Sequence, residues 1–220
     1  MKKKISTKVL AMLLVAIMVC GSVIGGTLAW LIDQTDAAVN TFTYGDVNID
    51  LDETDTDRDD DGDPDTNEYE MIPGETIIKD PKVTVKAESK ACWLFVKLEK
   101  SDNFDDFMEY EVADGWTQLK DADGNDIVGV YYRDVAEVGD QDVVYGVLLN
   151  DEVHVKGTVT KEMLNALDAE GKEATYPTLS VTAYAVQMSG FEPVISEGAV
   201  APTDEQMNTA ALSAWQQIGA

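Results

Sequence analysis

The stretch from Asp52 to Glu70 holds seven aspartates between Asp55 and Asp65. Read from Asp57, it runs Asp57-Arg58-Asp59-Asp60-Asp61-Gly62-Asp63-Pro64-Asp65-Thr66-Asn67-Glu68. That spacing fits the calcium-loop pattern D-x-[DN]-x-[DN]-G-x₅-E. A hard divalent cation needs six to eight oxygens. Asp57, Asp59 and Asp61 would converge from alternate positions, and Gly62 permits the sharp turn. Asp63 would offer its backbone carbonyl, Asp65 would act through water, and Glu68 would close the shell with two oxygens. A segment so rich in Asp matches the three alternating positions cheaply, so the placing of Gly62 and Glu68 carries the signal. Pro64 stands where an aliphatic residue is usual, and the flanks read as strand and Pro-Gly turn, not as paired helices. The competing reading is a solvated acidic loop held open by its own charge. A second acidic group, Asp121-Ala122-Asp123-Gly124-Asn125-Asp126, lacks the spacing and reads as a hairpin turn.

Catalytic devices are missing. His154 is the chain's one histidine, so no H-E-x-x-H pair can form. It alternates between Val153 and Val155, the pattern of a strand residue on a polar face. No G-x-S-x-G, phosphate-binding glycine loop or CxxC occurs. Two carboxylates suffice for a glycosidase, yet nothing among the 42 Asp and Glu marks a pair. The chain is therefore not expected to be an enzyme.

The N-terminus reads as an address. Met1–Lys8 is basic, Val9–Val19 is an unbroken apolar run, and Thr27-Leu28-Ala29 is a small-residue cleavage pattern. This is the layout of a secretory signal peptide over 1–29, cut between Ala29 and Trp30. The alternatives are a retained anchor over Val9–Trp30 and lipid attachment at Cys20. Cleavage would leave Cys92 without a disulfide partner, inside the apolar run Ala91-Cys92-Trp93-Leu94, where a buried inert thiol is expected.

Strands must supply the frame for residues 30–220. Val47, Ile49 and Leu51 alternate with Asp46, Asn48 and Asp50, and Val83, Val85 and Ala87 alternate with polar neighbours. From Cys92 to Glu99 both faces are apolar, which predicts a central strand. Further runs lie at Ile127–Tyr132, Val143–Leu149, Val153–Val159 and Thr178–Val186, separated by Pro73-Gly74, Asp123-Gly124, Gly139-Asp140 and Asn150-Asp151. The expectation is all-β, an antiparallel β-sandwich in one domain. Helices are few. Thr160 caps Lys161–Leu167. Thr203 and Gln206 open a helix over 203–218 with Met207, Ala211, Ala214, Trp215 and Ile218 on one face, expected to pack on the body.

Forty-two acids against 16 Lys and Arg give a charge of −26. Four of the lysines (Lys2, Lys3, Lys4 and Lys8) precede the cleavage pattern. Without them 12 cations face 42 carboxylates, a balance of −30. Such a surface repels nucleic acid and anionic lipid, leaving the signal peptide as the one membrane contact. With 45% apolar and 8% aromatic residues the chain is nonetheless composed to fold.

Gly25-Gly26-Thr27-Leu28-Ala29-Trp30-Leu31-Ile32-Asp33 and Asn40-Thr41-Phe42-Thr43-Tyr44-Gly45-Asp46-Val47-Asn48-Ile49 resemble the N-terminus of the TasA/camelysin family of exported Gram-positive proteins. Softer likenesses are Ile72-Pro73-Gly74-Glu75, Tyr131-Tyr132-Arg133 and Thr178–Gln187. The resemblance implies a jelly-roll-like sandwich, processing by a dedicated signal peptidase, and subunits joined with themselves and related matrix subunits into biofilm fibres. It also implies that the freed segment Trp30–Leu51 can complete the sheet of the next subunit; ordinary pairing within the chain suits the same residues. The family's link to proteolysis finds no histidines here, and the acidic loop lies outside the family pattern. A secreted, calcium-dependent monomeric binding module or adhesin is the rival expectation. It would need an exposed aromatic platform, for which Trp93, Trp116, Tyr131 and Tyr132 are candidates.

Overall fold

Apolar residues on both faces of Cys92–Lys100 make a strand buried on two sides, and the fold is layered around it. The computed structural model describes residues 43–44, 47–53, 69–168 and 175–218. In chain order the strands are β1 (Thr43–Tyr44), β2 (Ile49–Asp52), β3 (Thr76–Ile78), β4 (Lys82–Val85), β5 (Cys92–Lys100) and β6 (Met108–Glu109). They continue with β7 (Thr117–Lys120), β8 (Asp126–Val135), β9 (Val143–Gly146), β10 (Glu152–Val155) and β11 (Leu179–Gln187). Among the described residues three α-helices and one 3-10 turn (Leu149–Asp151) complete the order, the α-helices being α1 (Phe104–Phe107), α2 (Lys161–Leu167) and α3 (Asp204–Ile218). The protein is all-β in class.

A five-stranded sheet runs β1-β11-β5-β8-β7, and two three-stranded sheets run β3-β10-β6 and β2-β4-β9. Pairing is antiparallel except for β1, which lies parallel to β11. Cys92, Leu94, Val96 and Leu98 of β5 join Val181, Ala183 and Ala185 of β11 in the core between the sheets. Val83 and Val85 of β4, with Val153 and Val155 of β10, fill it from the opposite side. The other face of the large sheet presents Trp93, Phe95, Leu119, Val130 and Tyr132, and α3 covers it with Ala210, Ala211, Ala214 and Trp215. Three alanines let the helix approach closely, and Trp215 sets its ring 5.2 Å from Phe95 and 5.4 Å from Tyr184.

Local chemistry explains the boundaries. Thr160 Oγ1 accepts from the Met163 N–H at the start of α2. At α3 the reciprocal box forms: Gln206 N–H donates to Thr203 Oγ1, and Thr203 N–H donates to Gln206 Oε1. The β7–β8 turn closes as the acidic hairpin expected from Asp121–Asp126. Asp121 Oδ1 accepts from the Asp123 and Asn125 N–H groups, and these bonds, with the Asn125 side-chain amide first, hold its carboxyl below the ordinary carboxylate range. Gly129 interrupts β8 at φ +72°; a Cβ there would fall 2.2 Å from the Leu98 carbonyl oxygen.

Candidate functional site: the edges of the five-stranded sheet

Every sheet that does not close into a barrel ends in rows of backbone donors and acceptors that must be paired, covered or blunted. On one side of the large sheet a side chain meets part of that problem, at one residue of the edge strand. Asn208, on α3, accepts from the Lys120 N–H of β7 through Oδ1 (2.9 Å) and donates to the Lys120 carbonyl through Nδ2 (3.1 Å). The amide thus imitates the backbone of a further strand. Lys120 also meets Asp126 at 2.8 Å, which adds charge to the same edge.

The opposite side is built differently. β11 pairs with β5 at all nine of its residues, Leu179↔Lys100 through Gln187↔Cys92. On its outer side the described pairing is limited to β1, at Thr43↔Ala185 and Tyr44↔Val186. The inner face there is small and apolar, with Val181, Ala183 and Ala185 all buried. This is a sheet edge with a prepared apolar floor, entered in parallel orientation by the chain that follows the N-terminal segment.

The sequence-derived site residues divide cleanly by location. Ala29 and Trp30 at the cleavage pattern, the donor segment before Thr43, and the loop ligands Asp57, Asp59, Asp61, Asp63, Asp65 and Glu68 all lie outside the described residues. Among the described residues no group of three or more His, Cys, Asp or Glu is placed to hold a metal ion. His154 is an exposed residue of β10, its Nδ1 2.7 Å from Thr76 Oγ1. Cys92 is fully buried, and burial pushes its thiol up to about 12, which leaves it protonated and unreactive at neutral pH. Trp93, Trp116 and Tyr132 belong to the two cores and Tyr131 is half-buried, so these four do not make an exposed platform. Trp93 instead donates from Nε1 to the Phe191 carbonyl at 2.9 Å, tying down the chain beyond β11.

One arrangement escaped sequence reasoning. Arg133 follows Tyr131 and precedes Val135 on the inward side of β8, opposite Leu94 of β5. Its guanidinium carbon lies 3.9 Å from the centre of the Tyr145 ring and 5.2 Å from that of Trp116. Trp116 is itself held by donation to the Gly146 carbonyl at 2.8 Å. A charged residue in phase with an apolar stripe was the available signal. Its two aromatic neighbours come from distant strands and leave no local mark. No family model, curated protein or solved structure matches the chain.

Proposed function

We propose that this is a secreted structural protein of the extracellular matrix, assembling into fibres as its freed N-terminal segment adds to the sheet of the next copy. The observation that carries the reading is the outer edge of β11, where pairing among the described residues is limited to Thr43 and Tyr44. β1 enters that edge in parallel, with Thr43 opposite Ala185 and Tyr44 opposite Val186. An extended segment donated from another copy in this register would gain backbone hydrogen bonds and lay its apolar residues against the floor of Val181 and Ala183. The resemblance of residues 25–49 to the TasA/camelysin family supports the same reading, as does the signal-peptide layout of 1–29.

Charge sets the conditions. Subunits near −30 repel one another in dilute, low-salt solution. Calcium held by Asp57–Glu68, or protonation at low pH, would reduce that barrier. Processed protein is expected to polymerise faster with calcium or acid and more slowly after deletion of residues 30–38. Electron microscopy that finds no filaments under any of these conditions would refute the proposal.

A further inference from the structure

Charge pairing elsewhere makes Arg133 conspicuous. Every lysine from Lys79 to Lys120 meets a carboxylate, for example Lys79–Glu53 at 2.7 Å and Lys90–Glu137 at 2.7 Å. No carboxylate among the described residues lies within 4 Å of the Arg133 guanidinium, in a chain with 42 Asp and Glu. Asp134 is adjacent in sequence, but strand alternation sends it to the opposite face of β8. Arg133 Nε is buried with no hydrogen-bond partner. A buried guanidinium is ordinarily paired, because an unmatched charge loses its hydration with no return. Burial accordingly lowers the affinity of this side chain for its proton.

The surroundings look built for an incoming group. Tyr145 and Trp116 flank the guanidinium by cation–π contact, which fixes a long side chain that would otherwise sample many rotamers. The guanidinium packs closely on Gly115, where φ is +87° and a Cβ would stand 2.8 Å from Nη2, so only a glycine admits it in this position. Arg133 is partly exposed. A rigid, planar fork of donors between two rings matches a planar carboxylate through two parallel hydrogen bonds. A doubly charged phosphate would meet about twice the repulsion from so acidic a chain. We propose that Arg133, clamped by Tyr145 and Trp116 beside Gly115, is a receptor for a carboxylate supplied from outside the domain, either a small acid such as a sugar acid or an acidic side chain of a second copy.

The test follows the arginine Nε–H resonances of full-length protein labelled with ¹⁵N-arginine. Arg58, the chain's other arginine, serves as internal reference, and R133K assigns the signals. Sodium acetate and sodium glucuronate are titrated against sodium chloride at matched ionic strength. A saturable shift of the Arg133 signal with the carboxylates, absent at Arg58 and absent with chloride, is the expected result. A shift that grows with protein concentration without acetate, and that acetate reverses, identifies a second copy as the source. Y145L keeps the bulk but removes the ring, and is expected to raise the half-saturating concentration at least about threefold. Equal shifts at both arginines, no shift in any series, or a tighter response to inorganic phosphate than to acetate would overturn the assignment. An unchanged response in Y145L would overturn the role of the clamp.

Discussion

Truncating Trp215 tests whether α3 is an integral layer of the fold. The side chain is 5% exposed and packs its ring against Phe95 and Tyr184, at 5.2 and 5.4 Å. Trp→Ala at a buried site removes about 3–5 kcal/mol through lost transfer energy and the cavity left behind. Two edge-on or tilted ring contacts, worth about 0.5–1.5 kcal/mol each beyond area, place W215A at the upper end, near 5 kcal/mol. For a chain of this length that is a fall in Tm of about 10–20 °C, at about 2–4 °C per kcal/mol. The other buried helical residues on this face are alanines, and Met207, Leu212 and Ile218 pack there only partly buried, so Trp215 is the one large side chain that anchors the middle of the helix. The loss should therefore be read first in α3. Hydrogen exchange followed by mass spectrometry should show Asp204–Ile218 exchanging quickly while β5 stays protected, and urea denaturation supplies the global figure. N208A is the internal contrast. It deletes two solvent-accessible hydrogen bonds to Lys120 and should cost about 1 kcal/mol, at the low end of net hydrogen-bond values. A W215A loss below about 1 kcal/mol, with α3 still protected, would refute the packing argument outright.

Two further outcomes are expected. G129A puts a methyl group 2.2 Å from the Leu98 carbonyl oxygen at a backbone of positive φ, so β5 and β8 must separate; a loss of about 3 kcal/mol or more in chemical denaturation is expected, against near neutrality for Ala at Gly139, where φ is not positive and nothing lies within 4 Å. The carboxyl of Asp142 is held below its ordinary range by the Ala87 N–H and then by Lys86. A group whose folded pKa is depressed stabilises above its unfolded pKa, about pH 4, and loses that contribution as pH falls through the folded value. D142N should flatten the stability–pH curve below about pH 4 relative to the parent, and an unchanged curve there would contradict it.

The parts of the fold that could be read in advance are those whose information is local. β5 declares itself because apolar residues alternate on both faces from Cys92 onward, and only a strand between two layers needs that. α3 is announced by Thr203 and Gln206 and by its apolar stripe, and the β7–β8 turn by Asp121, Gly124 and Asn125. β1, β3 and β6 gave no comparable signal. They have two or three residues each, too few for a period to show, and their pairing is decided by partners far along the chain. The parallel course of β1 is of this kind, since Thr43 meets Ala185. The Arg133 clamp is hidden for the same reason: Trp116 precedes β7 and Tyr145 lies on β9, and neither spacing has a helical or strand rationale linking it to position 133. Gly129 is legible only in part, as a glycine inside a strand pattern, a mark of a bulge or close approach whose partner the sequence does not name.

The asymmetry of the large sheet has a consequence for stoichiometry. With Asn208 bonded to Lys120 at the β7 edge, and pairing on the outer side of β11 limited to β1 among the described residues, the proposed assembly assigns one receptive edge to each molecule and one N-terminal segment to donate. In the proposed polymer each molecule is thus bifunctional, with one plug and one socket. Growth would be linear, unbranched and polar. As in any condensation of two-ended monomers, its length would be governed by the balance of ends, so a copy lacking its N-terminal segment would act as a chain terminator and shorten fibres at a small fraction of the total protein.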